Sequence, residues 1–559
     1  NKELIHMCHN GLVAAAYLQK SGLQTCVLER RHVIGGAAVT EEIIPGFKFS
    51  RASYVLSLLR PYIYTDLNFK DNKHGLKVYP RNPSSYTPLI ETEWQKGKPR
   101  SLTLGKDEEN NWKQIAGFSI KDAESYKRYE KQLERIVNSI DPLLDTSVSE
   151  IMELFEAKGF WNKFLAFRRN PQLLKAVKSL GSLGADISVL YEFFTSPATH
   201  ILSRWFESEP LKATLATDAV IGAMAAPHSP GSAYTLLHHC MGQIDGVRGS
   251  WGYPEGGMGT VTKALAAAAT SYGAHVFTNV EVSEIRVNED GIAVGVVTAD
   301  GCEINAGVVL SNATPHITYK NLLPDGALPE QFKTAVSHIN YTSPVTKINV
   351  ALRELPNFRA DPTVSEKRAM PHHQCTIHIN CENMDLITQA YNGATDGYFS
   401  QRPMIEMVLP SSVDPTLAPP GCHVCLLFTQ FTPYHLKDGD IWDDKKKQEY
   451  ANVVFSNIEE YAPGFKESII GMEVLSPPDL EQIFGLTGGN IFHGALSLDQ
   501  LFLCRSTSQV CGVYPPYTPV KNLLLCGSGT HPGGGVMGAP GYIAAQTLIK
   551  NKPKTKHSH

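Results

Sequence analysis

The strongest chemical signal lies near the C-terminus, where Cys526-Gly527-Ser528-Gly529-Thr530-His531-Pro532-Gly533-Gly534-Gly535-Val536-Met537-Gly538 places six glycines in thirteen residues at the mouth of a helix. Glycines between a strand and a helix let main-chain N–H groups run close under a large planar anion, with the helix dipole adding to the attraction. Thr530 and His531 sit inside the run, where they either orient or tune a ligand or pin a Pro-Gly turn. A second signal opens the chain. A pyrophosphate on a helix N-terminus needs a glycine turn, and an acid about 20 residues on takes the ribose hydroxyls. Glu29 stands 18 residues after Gly11. The turn itself reads His6-Met7-Cys8-His9-Asn10-Gly11, so His6 and Cys8 occupy positions where a Cβ would crowd a phosphate.

Two further glycine groups fall between these ends. Gly35-Gly36-Ala37 follows Glu29 by six residues, and Tyr253-Pro254-Glu255-Gly256-Gly257-Met258-Gly259 leads into an alanine-rich stretch. Asn279-Val280-Glu281-Val282 follows the next strand-like run. Arg51, in Phe49-Ser50-Arg51-Ala52-Ser53-Tyr54, either meets a bound anion or is a solvated loop arginine.

The elements that must position these residues are legible in outline. Lys2 to Met7 reads as a strand, Asn10 as the cap of a helix from Leu12 to Lys20 that stops at Gly22, and Thr25 to Leu28 as a buried strand. From Asp107 to Asp245 the pattern is helical, and the aromatics of Phe193 to Phe206 either line an apolar channel or pack in a core. Val261 to Tyr272 reads as a helix, His275 to Thr278 as a strand, and Val282 to Leu310 as an antiparallel ladder. Alternation in Lys347 to Leu352, Cys375 to Asn380 and His423 to Phe431 predicts strands, and Asp443 to Tyr461 a long helix whose Asp443-Asp444-Lys445-Lys446-Lys447 start is solvated. Asn522 to Lys550 is strand, glycine turn and helix, followed by a basic tail. The opening, the segment around residues 252–315 and the end read as parts of one nucleotide-binding domain that the chain leaves and re-enters twice.

Taken together, Glu29 with Gly35-Gly36, Tyr253-Pro254-x-Gly256-Gly257-Met258, Asn279-Val280-x-Val282 and Gly527-x-Gly529-Thr530-His531-Pro532-Gly533-Gly534-Gly535 resemble the FAD-dependent phytoene desaturase and amine oxidase superfamily. The resemblance implies an α/β fold with a glutathione-reductase-type, Rossmann-like FAD-binding domain assembled from discontinuous segments, and an inserted α+β substrate domain. The segments are 1–100, 246–330 and 516–550 for the FAD domain, 101–245 for a helical cap, 331–515 for the substrate domain and 551–559 for the tail. The cofactor implied is FAD. Glu29 would bind its ribose, Gly11 would be the helix-packing glycine of the first cofactor-binding turn, Gly35, Gly36 and Ala37 would lie near the pyrophosphate and flavin, Gly256 and Gly257 would be further cofactor-binding residues, and Val280 would hold the adenine edge by main-chain contacts. Gly527, Gly529 and Thr530 would meet the pyrophosphate and ribityl chain, with Gly534, Gly535, Val536 and Met537 at the flavin ring. Candidates for a catalytic role are His531, Thr530 and Arg51, and no metal site is expected. The implied function is hydride transfer from an apolar or polyene-like small molecule to the flavin and on to an acceptor. A catalytically weakened scaffold acting through protein partners is the alternative. The resemblance also implies a mitochondrial matrix setting with a respiratory-chain protein as partner; the cytoplasm is the alternative.

Composition narrows the remaining classes. With 51 Lys plus Arg against 55 Asp plus Glu, the chain carries a formal charge of −4 and lacks the basic excess of a nucleic-acid binder. Eleven scattered cysteines among 559 residues suit a reducing compartment rather than a secreted disulfide scaffold. No apolar run reaches the roughly 18 residues of a membrane span, and the opening residues show no targeting pattern. A disulfide reductase is disfavoured: after Cys26 the next cysteine is Cys240, and Cys422-His423-Val424-Cys425 lies in a strand-like run, where it reads as buried thiols. Cys375 and Cys381 read likewise as core residues.

Overall fold

The computed structural model describes residues 9–69, 74–363 and 368–551, together with the backbone of 2–6. Five short parallel strands form its first sheet: β1 (Lys2–His6), β2 (Gln24–Leu28), β3 (His275–Phe277), β4 (Val308–Ser311) and β5 (Leu523–Leu525), in spatial order β3-β2-β1-β4-β5. Strands from the opening, the middle and the end of the chain therefore lie side by side. The register is continuous, with Ile5 opposite both Val27 and Leu310, and Leu310 opposite Leu524. A parallel sheet needs helices on its faces. These are α1 (His9–Lys20), α2 (Gly259–Ser271) and α3 (Ala539–Asn551).

Small residues let these helices pack closely. Leu12 to Ala16 of α1 are fully buried, as are Ala264, Ala268 and Ala269 of α2. A Cβ on Gly541 of α3 would lie 1.9 Å from the Asn10 carbonyl, so α1 and α3 pass at backbone distance. Asn10 is inside α1 rather than its cap, and its side-chain amide donates to Ser528 Oγ at 3.3 Å. Residues 282–305 form a separate three-stranded antiparallel ladder, while Val308–Ser311 leaves it for the parallel sheet.

The second major sheet has seven strands, in the order Ile469–Leu475, Val345–Leu352, His423–Gln430, Met404–Val408, Thr376–Ile379, Ser85–Pro88 and Ser101–Leu104. One face buries Ile348, Val350, Ile377, Met407 and Leu427 against the helix Asp444–Tyr461. The other face looks into the molecule, towards helices between residues 108 and 239. No helix among the described residues is long and apolar enough to cross a membrane.

Candidate cofactor and substrate site

In a parallel α/β sheet, ligands bind beyond the carboxyl ends of the strands. Glu29 stands directly after β2 and is 4% exposed. Its Oε1 accepts the Arg31 N–H at 3.0 Å, while Oε2 is buried with no hydrogen-bond partner. Burial pushes this carboxyl up to about 6, against the opposing pull of the Arg31 N–H and of the Arg31 and Arg30 charges. A buried acceptor left unbonded in this way fits the ribose hydroxyls of FAD. The Val280 N–H donates to the Glu29 carbonyl at 2.8 Å, so the adenine contact expected at Val280 is limited to its carbonyl, not the full main-chain edge.

Each glycine group has a distinct job. Gly35 adopts φ +122°, and a Cβ there would lie 2.6 Å from the Ala38 carbonyl and 2.7 Å from Thr262 Oγ1. Gly36 continues the turn, and Ala37 and Ala38 face the cavity described below. Gly11 lies buried within α1. Gly527 and Gly529 pack flush on the loop after β4, where added Cβ atoms would meet the Asn312 carbonyl at 2.5 Å and Pro315 Cδ at 2.2 Å. Between them and the next glycines, Thr530 is buried with Oγ1 unbonded. Gly534 backs onto Phe492, and Gly535 onto Leu58 and, more loosely, His238. Gly535 and Val536 line the cavity; Met537 is buried and its carbonyl accepts the Arg60 N–H at 3.0 Å.

Several expectations are corrected. Gly256 and Gly257 do not cradle a ligand. The Gly256 N–H donates to Asp414 Oδ2 at 2.7 Å, and the Met258 and Gly259 N–H groups donate to Ser50 Oγ (3.0 Å) and Thr40 Oγ1 (2.9 Å). The start of α2 is thus capped by hydroxyls of the Thr40–Ser50 hairpin, and Gly257 leaves room for them. Arg51 is not free to meet an anion: it donates to Glu473 Oε1 at 2.6 Å and Glu41 Oε2 at 3.2 Å, clamping that hairpin to the strand Ile469–Leu475. His531 turns its Nε2 to the Leu143 carbonyl at 2.9 Å, and burial holds its ring down at about 4, neutral at physiological pH. It anchors the glycine loop to the helical region. Of the two readings given for the Phe193 to Phe206 aromatics, core packing is the one that holds for Phe193 and Phe206. The cysteine reading also holds: Cys375, Cys381 and Cys425 are buried free thiols, and no disulfide forms among the described residues. The effect of His6 and Cys8 on a phosphate falls outside the described side chains.

A cavity of about 980 Å³ extends from Ala37, Ser528, Gly535 and Val536 to the inner face of the seven-stranded sheet. There the structure shows something the sequence reading missed. Lys347 pairs with Phe428, Phe428 with Glu406, and Glu406 with His378, so these four residues form one row across four strands, facing the cavity. Tyr54 Oη donates to Glu406 Oε2 at 2.8 Å, and His378 Nδ1 lies 3.6 Å from Glu406 Oε1. Burial, reinforced by nearby Asp218, pushes Glu406 up to about 8, so it is mostly protonated at neutral pH. Lys347 is fully enclosed, donates to Asn349 Oδ1 at 2.7 Å, and is held down at about 7 by burial. Burial also holds His378 near 3, neutral. Arg81, hydrogen-bonded to Thr376, and Asp218 complete the polar end, while Leu58, Leu104, Val137 and Leu236 form apolar wall. The signal available in sequence was a charged residue centred in an apolar strand, as in Val345-Thr346-Lys347-Ile348 and Met404-Ile405-Glu406-Met407.

Behind the glycine loop lies Arg505, 1% exposed. Its Nη1 donates to the carbonyls of Gly494 (3.2 Å), Ala495 (2.9 Å) and Gln500 (3.1 Å), and its Nη2 to those of Phe492 and Ser528. No carboxylate lies within ion-pair distance of it among the described residues. Burial holds it down at about 10, still a cation at neutral pH. A buried charge without a counter-ion is costly, and this one sits behind the loop expected to carry an anionic cofactor.

A dinucleotide-type parallel sheet joined through one chamber to a second, ionisable sheet face defines a flavoprotein oxidoreductase architecture. The chain belongs to the flavin-containing amine oxidoreductase family, whose match spans residues 11–548, and its cofactor is FAD. It is 55% identical over 544 residues to pyridine nucleotide-disulfide oxidoreductase domain-containing protein 2 of Rattus norvegicus, covering 97% of this chain and 92% of that protein. It is 25% identical over 547 residues to a lycopene-forming phytoene desaturase of Pseudescherichia vulneris, covering 96% and 95% respectively. Among solved structures, the fold is similar to cyclohexylamine oxidase from Brevibacterium oxydans, with TM-score 0.57 at 13% identity over 99% of this chain and 98% of that one.

Proposed function

We propose that this chain, with an FAD-binding unit of the glutathione-reductase type, oxidises an organic substrate held between the Gly535–Val536 loop and the sheet row of Lys347, Glu406 and His378. The observation that carries this reading is the single chamber: one continuous space touches both the cofactor loop and the ionisable row. Bound FAD supplies the redox chemistry. The protein positions and shields. Leu58, Val137 and Leu236 hold an apolar or polyene-like body and exclude water, while Tyr54, Glu406 and Lys347 hold or move protons at the polar end. Electrons pass on to oxygen, a quinone or another acceptor. A mitochondrial matrix setting with a respiratory-chain partner belongs to the same proposal.

The test is direct. The purified protein is expected to be yellow, to bleach on anaerobic addition of dithionite, and to bleach with its true substrate alone. Colourless protein that takes up no added FAD overturns the reading. The departures at His6 and Cys8 favour a second reading, a scaffold weakened in cofactor binding. Restoring glycine at both positions separates the two: no rise in flavin occupancy removes the ground for the scaffold.

A further inference from the structure

The helical region carries an inverted helix. In Phe160–Arg169, soluble-protein logic calls for the apolar stripe to face inward. Instead Phe160 and Trp161 are 75% and 73% exposed, and Phe164 and Leu165, one turn further on, are 48% and 40% exposed, while the one fully buried side chain of the helix is Ala166. The Trp161 ring lies 5.8 Å from that of Phe160 and 6.2 Å from that of Phe164, so the three aromatics form one outward cluster. Phe155 before it, and Leu174 and Val177 on the helix Pro171–Gly181, are exposed as well. Scattered exposed apolar residues need no explanation, but a contiguous aromatic patch does.

The charge around the patch selects its occupant. Between residues 155 and 178 there are six basic side chains, Lys158, Lys163, Arg168, Arg169, Lys175 and Lys178, against one acidic one, Glu156, in a chain whose overall formal charge is −4. All six are exposed, and among the described residues only Arg169 has an ion-pair partner, Glu153 at 3.6 Å. An aromatic and aliphatic stripe flanked by lysines and arginines matches a surface with an apolar interior and anionic headgroups. We propose that residues 155–178 dock this enzyme onto an anionic phospholipid bilayer, with Phe160, Trp161 and Phe164 entering the headgroup region and the six cations lying over it. The attachment is peripheral, on the outer side of the helical region that roofs the substrate chamber.

The experiment is vesicle flotation of the full chain with phosphatidylcholine alone and with added phosphatidylglycerol. Binding is expected with the anionic vesicles, weakened by salt, and reduced about tenfold or more in a Phe160→Ser, Trp161→Ser, Phe164→Ser variant. Because these side chains are exposed, the variant is expected to keep its circular dichroism and melting temperature. As a measurement on the unaltered protein, brominated lipid is expected to quench part of the tryptophan fluorescence, and the Trp161→Phe variant to lose that part. The proposal is overturned by failure to bind anionic vesicles, by equal binding of the triple variant, or by absence of quenching. It is equally overturned if the patch is covered in solution, shown by a dimer that the triple variant converts to monomer, or by a stoichiometric protein complex that the variant abolishes while vesicle binding persists.

Discussion

Arg505 Nη2 donates to the Ser528 carbonyl at 3.0 Å, tying a buried cation to the loop that leaves β5 for the cofactor site. The same guanidinium also gathers carbonyls from Phe492 to Gln500, so one side chain holds two segments together. Arg505→Met is expected to strand these acceptors and destabilise the protein by about 3 kcal/mol or more, since buried polar groups left unpaired cost ~1–3 kcal/mol each. Arg505→Lys, which keeps the charge but fewer donors, is expected to fall between. Thermal melts of both variants with and without FAD check this, and equal stability of wild type and Arg505→Met would refute the bracing role.

Glu29 gives a pH dependence whose sign can be worked out. Its folded value near 6 exceeds the ordinary 4.5, so the cofactor-free folded state binds more protons than the unfolded state between those values. The contribution of Glu29 to apoprotein stability therefore falls as pH rises through that window. Ribose hydroxyls donate to the carboxylate and favour its charged form, so FAD affinity is expected to rise over the same interval. Glu29→Ala is expected to weaken FAD binding by about 10- to 100-fold, the range of a hydrogen bond to a charged group. Fluorescence titrations with FAD from pH 5 to 8 provide the readout.

The parts of this architecture visible in sequence are those encoded locally. β5, the glycine run and α3 follow one another within 30 residues, and each is marked by an apolar run, a turn or an alanine face. The row from Lys347 to His378 was hidden because each member sits on a different strand, and the cross-strand register that aligns them is set by the whole sheet. Arg51 was misread for a similar reason: its partner Glu473 is 422 residues away. Gly256-Gly257 shows a different limit, since a glycine pair looks the same whether it admits a phosphate or, as here, the Thr40 hydroxyl.

That distinction can be measured. Gly257 adopts φ +85°, and a Cβ there would lie 2.4 Å from Thr40 Oγ1 and 2.8 Å from Ser50 Oγ. Gly257→Ala is expected to cost about 1–3 kcal/mol through backbone strain and a disturbed cap, with the FAD dissociation constant of the folded fraction unchanged. Gly535→Ala places its Cβ 2.4 Å from Leu58 Cδ1 on the cavity wall and is expected to change both stability and FAD affinity. Denaturant melts combined with FAD titration separate the two glycines; a matching loss of affinity in both would return Gly257 to the cofactor site.

Glu406 offers the sharpest test of the chamber. Enclosed beside Asp218 and hydrogen-bonded by Tyr54, it holds its proton up to about pH 8. Since its ordinary value is 4.5, this group is the more protonated in the folded state across the interval between, and its own contribution to stability falls as pH rises through it. Glu406→Gln keeps the shape and a donor but removes the titration, so the difference in stability between wild type and variant is expected to shift steadily against the wild type as pH rises from about 5 to 8. The Gln side chain mimics the neutral acid, and substrate binding near neutral pH is therefore expected to survive. In the wild type kcat/KM is expected to fall above about pH 8, where the carboxyl ionises within the chamber, and in the variant that fall is expected to disappear. Lys347 titrates in the same space near 7 and would govern any remaining limb; in a Glu406→Gln, Lys347→Met double variant that limb is expected to vanish as well. An alkaline limb that persists unchanged in the double variant would place the controlling proton outside this row and remove the row from the reaction.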